Sequence, residues 1–178
     1  MVRRSRYRRL LPVLVLGILL VGARDPAETP APPAAGSSQE VTVVGVYSDQ
    51  RGQHGVMLEG KRDRRRFLMG IGAAEATAIA VPLENITPTR PLTHDLFLTL
   101  FGRLKVQVTR VVITDLRNDT YYATVYLTSG GTAMELDSRP SDAIALAIRA
   151  KVPVFAEDRV FEKSDRSPGS SGGPGERI

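Results

Sequence analysis

A chain of 178 residues can build one domain with a real hydrophobic core, and its lack of cysteine excludes disulfides, thiolate zinc sites, a cysteine nucleophile and a lipidated Cys anchor. Two histidines, His54 and His94, leave little room for a His-rich metal centre. Five of the 24 basic residues fall before position 24 and the other 19 equal the 19 acidic residues, so the net charge of +5 belongs to the N-terminal segment and does not argue for a broad cationic surface.

MVRRSRYRRLLPVLVLGILLVGA, residues 1–23, reads as an export signal or anchor: a basic start, then an apolar run over Leu10–Ala23. That run is shorter than the roughly 20 residues a membrane span needs, which favours a cleaved signal, with Val21 and Ala23 before the cut. The mature protein is expected outside the cytoplasm, periplasmic or extracellular. It would touch a membrane only through this segment, if uncleaved. Residues 24–39 form a Pro/Ala-rich linker, and 164–178 have the composition of a disordered tail. The folded domain is expected over 40–163.

Within it, VTVVGVYS (41–48), HGVMLEG (54–60) and RRFLMGI (65–71) read as strands separated by turn signals. GAAEATAIAVPLE (72–84) reads as a helix with Gly72 near its start and Pro82 near its end. TPTRP breaks the chain. Thr93 is then placed to cap THDLFLTLFGRL, a second helix. KVQVTRVVITDL (105–116), TYYATVYLT (120–128) and GTAMELDS (131–138) read as three more strands across RND and SGG turns. A helix follows from DSRPSD, then a short strand, VPVFAED.

The order predicts an α+β fold: a single mixed α/β domain of two βββα halves joined by a linking helix. Glu75-Ala-Thr-Ala-Ile-Ala also matches Asp142-Ala-Ile-Ala-Leu-Ala at the acid, the alanines and an aliphatic position. That match suggests an internal duplication with Glu75 and Asp142 as equivalent first-turn acids. A helix buried all round must satisfy its first N–H groups within the protein. Ser138, Ser141 or Asp142 can accept them, and Pro140 suits a first turn.

Capping explains the residue types of DSRPSD but not the whole pattern. DSRPSDAIALAIRAKVPVFAED (137–158), RPLTHDLFLTLFGRL (90–104), IGAAEATAIA (71–80) and ITDLRNDTYYATVYL (113–127) together resemble the bifunctional nuclease domain family. The resemblance implies a small mixed α/β domain and, as reported for some members, RNase and DNase activity. It therefore implies an RNA or DNA substrate cut with little sequence preference. Departures are Leu68, Met69 and Gly70 where the family has a proline and a β-branched residue, Tyr121 in place of a Phe, and the leader, which most members lack.

Phosphodiester hydrolysis needs an activated water and positive charge on the phosphate. Clustered carboxylates can hold Mg²⁺ or Mn²⁺ for both. The acids in the family-like segments are Glu75, Asp95, Asp115, Asp137 and Asp142. Asp137 and Asp142 flank one strand-to-helix turn, and Asp95 opens another helix. These three are the candidate metal ligands and, with His94 as general base and Arg139 on phosphate charge, the candidate catalytic set. Lys61, Arg62, Arg64, Arg65 and Arg66 are candidate nucleic-acid contacts, or else a solvated turn. Tyr121 and Tyr122 can stack on bases, though alternation puts one of them in the core. A non-catalytic binding or assembly module is the competing reading. Strand edges and apolar helices in so small a domain point to a homo-oligomer.

Overall fold

The computed structural model describes residues 38–166 and 176–177. The expected leader, linker residues 24–37 and tail residues 167–175 and 178 lie outside the described residues.

β1 (Ser38–Ser48), β2 (His54–Gly60) and β3 (Arg66–Ile71) form an antiparallel meander. Helices α1 (Ala73–Leu83) and α2 (Thr93–Arg103) lead to a second meander, β4 (Val106–Arg117), β5 (Thr120–Ser129) and β6 (Thr132–Ser138). Its turns are Asn118-Asp119 and Gly130-Gly131, all at positive φ, the two-residue geometry that suits strand twist. Helix α3 (Pro140–Ala150), β7 (Val154–Glu157), α4 (Asp158–Ser164) and a two-residue β8 (Glu176–Arg177) complete the described chain.

The βββα repetition and the linking helix are as expected. The halves do not form separate sheets, however. They join one mixed sheet in the order β3-β2-β1-β7-β4-β5-β6, with β8 beside β1. β7 sits at the seam, antiparallel to β1 and parallel to β4. Residues 38 and 39, assigned to the linker, belong to β1, because their backbones pair with Glu157 and Ala156. Residues 176–177, assigned to the disordered tail, pair with Ser48 and Tyr47.

The sheet curls strongly. Phe67 of β3 and Tyr121 of β5 stack with ring centroids 5.9 Å apart. Five strand spacings of about 4.8 Å would hold them some 24 Å apart in a flat sheet. Phe161 of α4 meets Phe67 edge-on at 5.1 Å, so α4 fills the curl. The sequence carries no helix signal there. DRVFEKS is too short for a visible period, yet Val160, Phe161 and Ser164 are all buried.

α3 is buried along most of its length, from Pro140 to Ala147, apart from Asp142. Its alanines 143, 145 and 147 let β4, β5 and α1 approach closely. A single guanidinium ties the three long helices together. Pro82 lacks the N–H that would bond the Ala78 carbonyl inside α1. Arg149 Nη1 donates to that carbonyl instead, at 2.6 Å, while its Nε donates to Asp95 Oδ1 of α2 at 2.7 Å. Its side chain is 6% exposed.

Candidate functional site

The N-cap of α3 is Arg139, and among the described residues no side-chain cap hydrogen bond meets the start of the helix. The expected cap from Ser138, Ser141 or Asp142 is therefore absent. Pro140 removes one donor, and the Ser138 hydroxyl donates to the Arg139 carbonyl at 3.0 Å. Asp142 turns outward: Oδ2 accepts from Arg139 Nε at 2.7 Å, and Oδ1 lies 3.1 Å from His94 Nε2. Arg139 Nη1 also reaches Glu75 Oε1 at 2.9 Å. Glu75 and Asp142 are the third residues of α1 and α3, as the proposed duplication requires, and they share one arginine.

Glu75, His94, Arg139 and Asp142 line a cleft of about 570 Å³ with Thr77 and Pro91–Thr93. A second hollow of about 390 Å³ is lined by Met69–Gly72, Asp119–Tyr121 and Pro140–Ser141, and it too touches Glu75 and Arg139. The Glu75–Arg139 pair is thus the partition between two hollows. A Cβ at Gly72 would stand 2.4 Å from Glu75 Oε2, so glycine leaves that carboxylate its place over the start of α1. Burial by itself would raise the pKa of Asp142. The hydrogen bonds from Arg139 and His94 outweigh it and hold the carboxyl below its usual range. Asp142, then Glu75, push the Arg139 pKa up.

Of the sequence-predicted residues, His94, Arg139 and Asp142 come together. Asp95 is used elsewhere. Its Oδ2 accepts from the Leu92 N–H at 2.8 Å and its Oδ1 from Arg149. Leu92, not Thr93, is therefore the N-cap of α2. Burial alone would again raise the Asp95 pKa, and these bonds outweigh it and leave it below normal. Asp137 stands exposed on edge strand β6, in register with Thr124. Among the described residues no three His, Asp or Glu side chains form a group that could hold one metal ion. In this arrangement the donors do not fit Mg²⁺ or Mn²⁺. Both Asp142 oxygens are engaged, one of them by a guanidinium whose charge opposes a cation.

The basic run is met by acids. Lys61 pairs with Glu40, Arg62 with Asp158, Arg64 and Arg66 with Glu59, and Arg65 with Asp63. Little charge is left over for phosphates. Tyr121 packs inward and donates its hydroxyl to Ser164 at 3.1 Å, while Tyr122 lies under Arg117 at 4.6 Å. Buried Asp115 accepts from Lys163, Arg117 and the Leu116 N–H, a bond set that docks α4. Glu75 was missed as a site residue. Its signal was the match between the halves, which put it at the position of Asp142.

A family model for the bifunctional nuclease domain matches residues 56–168. The chain belongs to the bifunctional nuclease domain family. That match takes in α1, α2 and α3, hence every residue of the His94–Asp142–Arg139–Glu75 cluster. An uncharacterized protein of Mycobacterium tuberculosis is 36% identical over 126 residues, 70% of this chain and 75% of that protein. Bifunctional nuclease 1 of Oryza sativa subsp. japonica is 32% identical over 117 residues, which span 63% of this chain but 35% of the rice protein. Bifunctional nuclease 2 of Arabidopsis thaliana is 26% identical over 106 residues, 57% of this chain and 32% of that protein. The bifunctional nuclease domain ties the chain to nuclease-related function, with nucleic acid as the class of substrate.

Proposed function

We propose that this protein hydrolyses phosphodiester bonds in RNA or DNA, with low sequence preference, at the cleft between α1, α2 and α3. The observation that carries the reading is the His94–Asp142 pair lining that cleft beside Arg139, whose side chain is 66% exposed. Asp142 Oδ1 accepts a hydrogen bond from the His94 Nε2–H, which leaves Nδ1 as the basic nitrogen. That nitrogen takes a proton from the attacking water. The water oxygen bonds to phosphorus, the ester P–O bond breaks, and the imidazolium returns the proton to the departing oxygen. Asp142 steadies the imidazolium, and Arg139 donates to the phosphate oxygens through Nη2. A phosphate on Arg139 would have a hollow on either side for its flanking nucleosides.

Incubating the purified protein with single-stranded RNA and DNA, with and without EDTA, tests this. Cleavage that persists in EDTA and disappears in His94→Ala is the expected result. Cleavage abolished by EDTA would mean that the carboxylates rearrange around a metal, and it would overturn the histidine mechanism. One observation favours the other reading, a non-catalytic binding or assembly module: the five cations of 61–66 are paired with the four acids Glu40, Glu59, Asp63 and Asp158, which leaves one net charge. No cleavage by a folded wild-type protein would establish that reading instead.

A further inference from the structure

Helix α2 packs on α3 and β4 through one side and leaves the other bare. Leu96, Phe97, Leu100 and Leu104 are 65%, 48%, 49% and 60% exposed, and no residue of α2 is fully buried. Positions 96, 97, 100 and 104 fall on one stripe of a 3.6-residue helix. Exposed Ile86 lies in the segment leading to the helix. The other exposed residues of α2 are Thr93, Thr99, Gly102 and Arg103, and exposed Lys105 follows Leu104, so the exposed charge along this helix is two cations at its C-terminal end. A solvated helix face is normally charged, and a contiguous apolar patch of this kind marks an interaction surface.

We infer that this face docks a second copy of the chain, α2 against α2 across a twofold axis. The four large apolar side chains of the stripe, about half exposed, present on the order of 300 Å². A standard interface buries about 800 Å² per partner, a little over half of it apolar, so the stripe supplies most of what a stable dimer needs. A twofold contact requires a patch that complements itself, and an almost uncharged apolar stripe does so without like-charge opposition. A lipid surface is the poorer fit, because interfacial helices carry Lys and Arg along the polar side. The opposite side of α2 instead faces α3 with His94 and Asp95. Edge strand β6 fits worse as well: Glu135 and Asp137 would set acids against acids when two copies paired. Because Thr93 and His94 of the same helix line the cleft, such a dimer would hold two clefts in fixed relation.

Sedimentation velocity on the full chain tests the inference. The wild type is expected at twice the mass of its own chain, and Leu100→Glu at half the wild-type value with unchanged far-UV circular dichroism. Leu96→Gln, at a more exposed position, repeats the test if Leu100→Glu fails to fold. The chain has no native cysteine, so Leu100→Cys should cross-link to itself under mild oxidation. A monomeric wild type would overturn the inference. So would a dimer that survives in folded Leu100→Glu but dissociates in Met134→Glu on β6, or a monomer that binds anionic phospholipid vesicles through Leu100.

Discussion

Replacing Asp142 with Asn separates holding the fold from doing chemistry. The amide keeps the shape of the carboxylate. Its oxygen can still accept from Arg139 Nε, now 2.7 Å from Oδ2, and its –NH₂ can face His94 Nε2, now 3.1 Å from Oδ1. What it loses is charge. Arg139 is mostly exposed, so solvent screens that pair, and the stability cost should be about 1 kcal/mol, a fall in Tm of about 4 °C. The effect on His94 is larger. An amide N–H donating to Nε2 forces the ring proton onto Nδ1, which removes the basic lone pair from the cleft. Where an Asp-to-Asn change flips a catalytic histidine in this way, turnover falls by about 10⁴. Melting and cleavage should be measured on the same purified protein, with the His94 tautomer read from imidazole nitrogen shifts. A variant with the flipped tautomer that still cleaves at the wild-type rate would remove His94 and Asp142 from the mechanism.

Arg149→Met should lower stability by about 3 kcal/mol in urea unfolding, because it strips a buried guanidinium from Asp95 and from the Ala78 carbonyl that Pro82 leaves open. The acid limb of stability follows from Asp95, Asp115 and Asp142, all of which have folded pKa values below the unfolded one. Lys163, against the cost of burial, is the largest influence at Asp115, and Arg117 and the Leu116 N–H add to it. Their contribution is complete above about pH 4 and is lost as pH falls through the folded values. Tm measured from pH 7 down to pH 3 should fall below about pH 4, and Asp115→Asn should show a lower plateau with a shallower acid limb. An unchanged limb in that variant would refute Asp115 as a source of it.

Strands β1 to β7 and the three long helices were legible because each carries a local period or turn signal. Asn118-Asp119 and Gly130-Gly131 are examples, and both close hairpins where turn chemistry places them. His94, Arg139 and Asp142 were legible as polar groups in excess of what a helix start uses. What stayed hidden depends on contacts remote in sequence. Asp95 looks like Asp142 locally, but Arg149, 54 residues away, claims it. The cations of 61–66 look like a phosphate surface until Glu40, Glu59 and Asp158 come in from three other segments. The four-residue β7 gives no hint that it lies at the centre of the sheet.

That central strand governs the order in which the domain can form. Both meanders, residues 38–71 and 106–138, are made before residues 154–157, yet the two halves of the sheet meet only through β7. A growing chain therefore leaves the inner edges, β1 and β4, unpaired until residues 154–157 have emerged. Edges of that kind recruit other strands, so the nascent domain is exposed to mispairing for most of its synthesis. Closure joins residues more than a hundred positions apart, as in the pairing of Ser38 with Glu157, so its loop entropy is high and folding should be slow for a domain of this size. A chain cut short before Val154 is left with no strand to join its halves.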